Sequence, residues 1–389
     1  MPNLRPIDEY EMILSQLQPV IGESGYIALI SNLFTESTQI RALEAGATRH
    51  LLFKTVIGDC EYVIRVEPDS RRAPGVDPAR EKVVLSLIEA MDWSPQVSVN
   101  LPDLGVVVME DAGRSLSHEQ LCESKKLALL KAVIEMQSIT GAPLFDYDEI
   151  FTKYRSKLPE TGSQQAIDSC IALLASLPEV EASLVHHDLH RGNLCWSDSD
   201  KLTILDWEYA GIGNPWFDYA VLARDCGFTL SEFKQIPRLQ AMDEGKLAHW
   251  LAVAIDMVDQ LEQIWYHYRD KVEVDMQMDA LLNQIKTNPE SVEFADVMAV
   301  IEANYTYTPS AFRNGALENS AEQNQGSAKL LSFAQLQGLS EAETLACFGA
   351  YYRNDVLGNP EGSDHGNIRN FMESGWAGVK LPEGVLSAK

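Results

Sequence analysis

The stretch LVHHDLHRGN (184–193) constrains this chain more than any other feature, because a short apolar strand follows it, KLTILDW (201–207), whose end delivers Asp206. Three readings compete. As a zinc site, His186, His187 and His190 would be ligands, but adjacent histidines point apart and no partner cluster lies nearby in sequence. As a polar turn, the residues would only cap neighbouring elements. As a reacting constellation, the spacing His186-x-Asp188-x-x-x-x-Asn193, then Asp206, supplies three parts. Asp188 can orient a hydroxyl and accept its proton. Asn193 and Asp206 offer oxygen ligands to a divalent ion such as magnesium. The third reading is the most specific, since it uses an ordered set of residue types rather than any single histidine.

Bulk properties narrow the classes. The chain has 389 residues, enough for two or three folding units, with 46% hydrophobic and 23% charged residues. Its formal net charge of −26 disfavours nucleic acid and anionic membrane surfaces as partners. The six cysteines are scattered without a C-x-x-C pair, no run reaches the roughly 20 apolar residues a bilayer needs, and the start does not read as a secretory signal. These features predict a cytoplasmic protein.

Along the chain, HLLFKTV and EYVIRV (within 48–66) read as a hairpin, DPAREKVVLSLIEAM (77–91) as a helix capped by Asp77, and GVVVMED (105–111) as a buried strand. Helices dominate afterwards. The expectation is an α+β fold with a small sheet-containing lobe on a larger helical one. Residues 245–268 are strongly helical in period, and RDKVEVD (269–275) reads as a break and a domain boundary. Arg65 would point inward from its strand and Glu81 opens the next helix, the order expected of a phosphate-binding cation and the acid that holds it. Backbone groups near Met109 and Asp111 would meet a nucleotide base.

Residues 20–270 resemble the aminoglycoside phosphotransferase and choline kinase superfamily. The carrying motifs are HHDLHRGN, LTILDWEYAGIGNPWFDYA and YVIRV…AREKVV. DWEYAG followed by PWFDYA is most similar to the choline, ethanolamine and thiamine kinase branch. The resemblance implies a two-lobed protein-kinase-like fold, with an N-lobe at about 20–112 and a C-lobe at about 113–272. It implies ATP and Mg2+, and a small alcohol as phosphate acceptor. It further implies that Gly46 and Thr48, in the turn AGATRH, cover the phosphates, and that His186 and Asp218 brace the loop. The turn departs from relatives in lacking their asparagine. Glu208, Tyr209 and Asp225 are the substrate candidates, since carboxylates and aromatic faces suit a cationic alcohol; Trp216 and Trp250 read mainly as core. An aminoglycoside-type antibiotic kinase is one alternative, and a nucleotide-binding sensor without turnover is another.

Residues 276–389 resemble the HopJ type III effector family through the long phrase from FRNGALENSAEQ to GWAGVKL (312–381). From the residues this part reads as a small helical domain, with Ala346, Phe348, Tyr351, Phe371 and Trp376 in its core and a polar loop at 308–327. Asn324, Gln325, Arg353, Asp355, His365, Asn367 and Arg369 read either as a pocket lining or as a loop network. A protein partner for this domain is an open expectation.

Overall fold

The computed structural model describes residues 41–42, 50–57, 59–67, 72–115, 121–197 and 199–389; Gly46 and Thr48 lie outside the described residues. The chain divides into two compact units, Met1–Tyr268 and Arg269–Lys389. None of the described helices is long and apolar enough to cross a membrane.

The first unit begins with an antiparallel five-stranded sheet in the order β1-β2-β3-β5-β4. Its strands are β1 (Arg41–Ala42), β2 (Leu51–Ile57), β3 (Cys60–Val66), β4 (Val97–Leu101) and β5 (Val106–Glu110). Alternation explains the two faces of β2: Leu51, Phe53 and Thr55 are buried, while the residues between them are partly exposed. Between β3 and β4 lies helix α1 (Pro78–Ile88), started by Pro78 and by the Asp77 carboxylate, which accepts the amides of Ala79 and Arg80.

The helical part follows. Its elements are β6 (Arg114–Ser115), α2 (Glu123–Met136), α3 (Tyr147–Lys157), α4 (Thr161–Ser176), β7 (Ser183–Val185), β8 (Leu194–Trp196), β9 (Leu202–Ile204), β10 (Gly211–Gly213), α5 (Trp216–Arg224), α6 (Leu230–Phe233) and α7 (Glu244–Thr287). The short strands form two small sheets, β6-β8-β9 and β10-β7, which hold the loop between β7 and β8 from either side. The break expected at 269–275 is helical: α7 continues through it, because lysine, glutamate and valine there do not exclude a helix and no proline or glycine interrupts them.

The second unit holds α8 (Phe294–Asn304), β11 (Tyr305–Tyr307), β12 (Phe312–Asn314), β13 (Leu317–Asn319), α9 (Gln325–Leu336), α10 (Glu341–Ala346), a π-helical turn (Tyr351–Val356), α11 (Gly366–Gly378), β14 (Val379–Lys380) and β15 (Leu386–Ala388). The expected loop at 308–327 contains a hairpin, β12–β13, turning on Gly315 at φ 59 directly after Asn314. Phe333, Phe348, Ile301 and Val297 anchor the core. Tyr351 does not belong to it: 46% of its surface is exposed, since the π-helical turn displaces it from the buried face.

Candidate active site

Asp218 organises the loop. It sits in the first turn of α5, is fully buried, and accepts the backbone N–H groups of His186 and His187 at 3.0 Å each. That grip holds His187 in the left-handed region at φ 66. Burial pushes the Asp218 carboxyl up to about 7, against the pull of the two amides. His186 ties the loop to the end of β9: its Nε2–H donates to the Leu205 carbonyl at 2.9 Å, and its Nδ1 accepts the Asp188 amide at 3.3 Å. Its ring packs edge-on against Trp207 at 4.7 Å. Burial lowers its pKa to about 4, so this imidazole is neutral.

The loop therefore meets the strand end. The Leu205 amide donates to the Asn193 carbonyl at 2.8 Å, and Asp206 follows in the left-handed conformation at φ 64. The Asn193 Nδ2 donates to both the Asp188 carbonyl (2.9 Å) and its carboxylate (3.0 Å), which leaves the amide oxygen of Asn193 free of that work. From the sheet, Arg65 donates to Asp206 at 2.7 Å and to Glu81; Arg65 and Glu81 are both buried. The two aspartate carboxyls are shifted in opposite directions. Burial, then repulsion by Asp206, raises the Asp188 pKa well above the ordinary carboxylate value. For Asp206 burial acts the same way, but His50 and Arg65 outweigh it and hold the carboxyl below its ordinary value.

The three loop histidines have separate partners. His187 faces the Tyr147 hydroxyl at 2.8 Å, while His190 accepts the Gly192 amide at 2.9 Å. Among the described residues the one group with metal-ligand spacing is His50, Glu67 and Glu208. His50 and Glu208 lie 2.7 Å apart. Burial opposes charging of His50, but Glu208 and Asp206 raise its pKa to about 10, so the imidazolium itself is the cation among these acids.

The substrate candidates each have partners within the protein, and Trp216 is core as expected. Glu208 is buried and turned to His50. Asp225 is held by Arg224 through two bonds of 2.8 and 3.0 Å, and Arg224 also reaches Asp259 and Glu262 on α7. Trp216 is fully buried, edge-on to Tyr219. Tyr209 is half-buried and accepts the Trp265 indole N–H at 3.2 Å. Sequence reasoning passed over His50, Glu67, Lys54, Glu262 and Trp265. Trp265 stood in the helical period as a core position. His50 and Lys54 carried only the weak signal of a polar side chain in a strand.

A cleft of about 320 Å³ lies beside Arg65 in sequence and sheet. Lys54, Val63, Met109 and Glu110 line it from the sheet, residues 111–113 from the connecting segment, and Leu205 from the helical part. The Asp111 amide is spent on the Glu61 carbonyl at 2.9 Å, so the next amide in the lining is that of Ala112. The Lys54 ammonium pairs with the Asp111 carboxylate and with Glu61 at 2.5 Å. The other Asp111 oxygen accepts the Gly113 amide at 3.0 Å. Gly113 has φ 93, and a Cβ there would come within 2.7 Å of the Trp196 carbonyl, so the segment can pass β8 only with glycine.

In the second unit the expected polar group separates into distinct networks. Asn324 and Asn367 join Asn314 and Asn319 in a largely buried amide cluster. Arg353 binds Glu293 and the Val292 carbonyl, His365 lies 3.0 Å from Asp355, and Arg369 binds Asp364.

Residues 124–255 match the model of the phosphotransferase enzyme family, and residues 278–386 match that of the HopJ type III effector protein. Viomycin phosphotransferase of Streptomyces vinaceus is 29% identical over 97 residues, covering 23% of this chain and 34% of the relative. The chain thus spans about a third of the length of that curated relative. The crystal structure of choline kinase LicA from Streptococcus pneumoniae is similar at a TM-score of 0.51 and 19% identity, covering 64% of this chain and 91% of that one. That likeness is one of fold: a two-lobed, protein-kinase-like architecture. A solved protein of unknown function, VPA0580, is 49% identical at a TM-score of 0.28, covering 28% of this chain and 92% of its own.

Proposed function

We propose that this chain, which joins a phosphotransferase-family region to a HopJ region, is an ATP-dependent, Mg2+-requiring kinase of a small cationic alcohol such as choline, ethanolamine or thiamine. We read its domains as 1–272 and 276–389. The observation that carries this is the convergence of Asp188, Asn193 and Asp206, with Arg65 reaching Asp206 from the opposite lobe. The donor chemistry fits a hard cation: the Asn193 amide oxygen and the low-pKa Asp206 carboxylate are oxygen ligands. Bound there, Mg2+ would neutralise charge on the nucleotide phosphates.

Arg65, buried against Glu81, is held ready for the phosphates. Asp188 orients the acceptor hydroxyl. As the acceptor oxygen bonds to the γ-phosphorus, the bridging P–O bond to the β-phosphate breaks, ADP leaves, and the hydroxyl proton passes to Asp188. Asn193 fixes the Asp188 carboxylate through Nδ2, and positioning supplies much of the rate. Tyr209 with Trp265, and the surplus of acids around Arg224, support a cationic acceptor. The same acid surplus favours a second reading, an antibiotic polycation as acceptor.

An ATP-consumption panel over choline, ethanolamine, thiamine and aminoglycosides tests both. The expected result is turnover with one cationic alcohol, lost in Asp188→Ala while nucleotide binding persists. Nucleotide binding with no acceptor in any panel would favour a sensor instead.

A further inference from the structure

We propose that Lys54 sets the purine choice of the cleft, by occupying Asp111, a carboxylate in its lining whose two oxygens match the edge of guanine. The inference rests on the kinase reading and adds the nucleotide base to it.

Lys54 stands opposite Val63 in the β2–β3 pairing, and Val63 stands opposite Met109 in the β3–β5 pairing. Directly opposed residues share a face, so these three side chains form one row across the sheet, and all three line the cleft. The aliphatic stem of Lys54 is therefore part of the roof over a base, with Leu205 on the opposite side. Its ammonium pairs with Asp111 and Glu61 at the edge of the row.

Asp111 also lines this cleft. A bare carboxylate at a purine edge accepts the ring N1–H and the exocyclic N2–H of guanine. Adenine presents an unprotonated N1 at the same place and is repelled by it. In this structure neither oxygen is bare: one holds Lys54 and the other holds the Gly113 amide. The charge is cancelled as well as the acceptors filled. Base reading then falls to the backbone around Ala112, which suits adenine. Lys54 thus acts twice, as roof and as mask.

The test uses the full chain and binding rather than turnover, so it needs no acceptor. Dissociation constants for ADP and GDP, each with Mg2+, are measured calorimetrically for the wild type, Lys54→Met, Lys54→Arg and the double variant Lys54→Met/Asp111→Asn. The expected result is preference for ADP in the wild type and in Lys54→Arg. In Lys54→Met, which frees the Asp111 oxygen that held the ammonium, the ADP:GDP ratio should shift about tenfold toward GDP, the scale of one charge-assisted hydrogen bond. In the double variant the shift should vanish. An unchanged ratio in Lys54→Met overturns the proposal, as does a shift that survives Asp111→Asn or a wild type that prefers GDP. If the wild type binds neither nucleotide, the kinase reading falls with it. Where circular dichroism shows that Lys54→Met has not folded, Lys54→Gln carries the same expectation.

Discussion

Replacing Asp218 with alanine should loosen the loop between β7 and β8. The side chain is fully buried and holds two amides, those of His186 and His187, at 3.0 Å each. Orphaning a buried N–H costs about 1–3 kcal/mol, so two amides give about 2–6 kcal/mol. Two terms reduce that figure. The cost of burying the carboxylate disappears with it, and the left-handed backbone of His187 at φ 66 is released. A net loss of about 3 kcal/mol remains, or roughly a hundredfold in the local opening equilibrium. Hydrogen exchange of a peptide covering 183–193 reads this directly: protection should fall about a hundredfold in Asp218→Ala, with the β2–β3 hairpin little changed. Because Asp188 follows the released segment, kcat should fall as well, through misplacement of its carboxylate. Wild-type exchange rates across that peptide in Asp218→Ala would refute the argument, since the amides would then have another acceptor.

Three further outcomes follow from the same geometry. His186 has a folded-state pKa near 4 against an ordinary 6.5, so only the unfolded chain takes up its proton between those values. Its contribution to stability is therefore intact above pH 6.5 and lost as pH falls toward 4; His186→Gln should flatten that part of a denaturant-midpoint profile against pH. Trp216 is fully buried and its indole N–H has no partner, so Trp216→Phe should change stability by less than about 1 kcal/mol, whereas Trp216→Ala should cost about 3–5 kcal/mol in thermal unfolding. In the second unit, Asn319 accepts from Asn324 (2.7 Å) and Asn367 (2.9 Å); Asn319→Ala should cost about 2 kcal/mol or more, seen as a lower melting temperature of that unit's transition.

Much of the site was legible because it is encoded locally. The loop, β9 and Asp206 lie within one short stretch, and the backbone bonds between Asn193 and Leu205 follow from that proximity. The Arg65–Glu81 pair was readable as a strand cation and a helix acid separated by one connection. What escaped was long-range pairing of single polar residues. Nothing around His50 says that it meets Glu208, far along the chain, and nothing around Asp225 says that the adjacent Arg224 spends itself there and on α7. Aromatic spacing was ambiguous for the same reason: a buried Trp216 and a half-exposed Trp265 have the same helical period and differ only in what packs on them. In the second unit the hairpin at Phe312–Asn319 was read as loop, because strands of three residues carry too little alternation to be seen.

The contacts of Arg65 with Asp206 and of His50 with Glu208 both run from the sheet to the segment just after β9. Removing one partner of either pair would leave the other ionisable group in a poorly hydrated seam, at a cost of about 3–5 kcal/mol, so each contact penalises loss of its mate far more than a surface ion pair would.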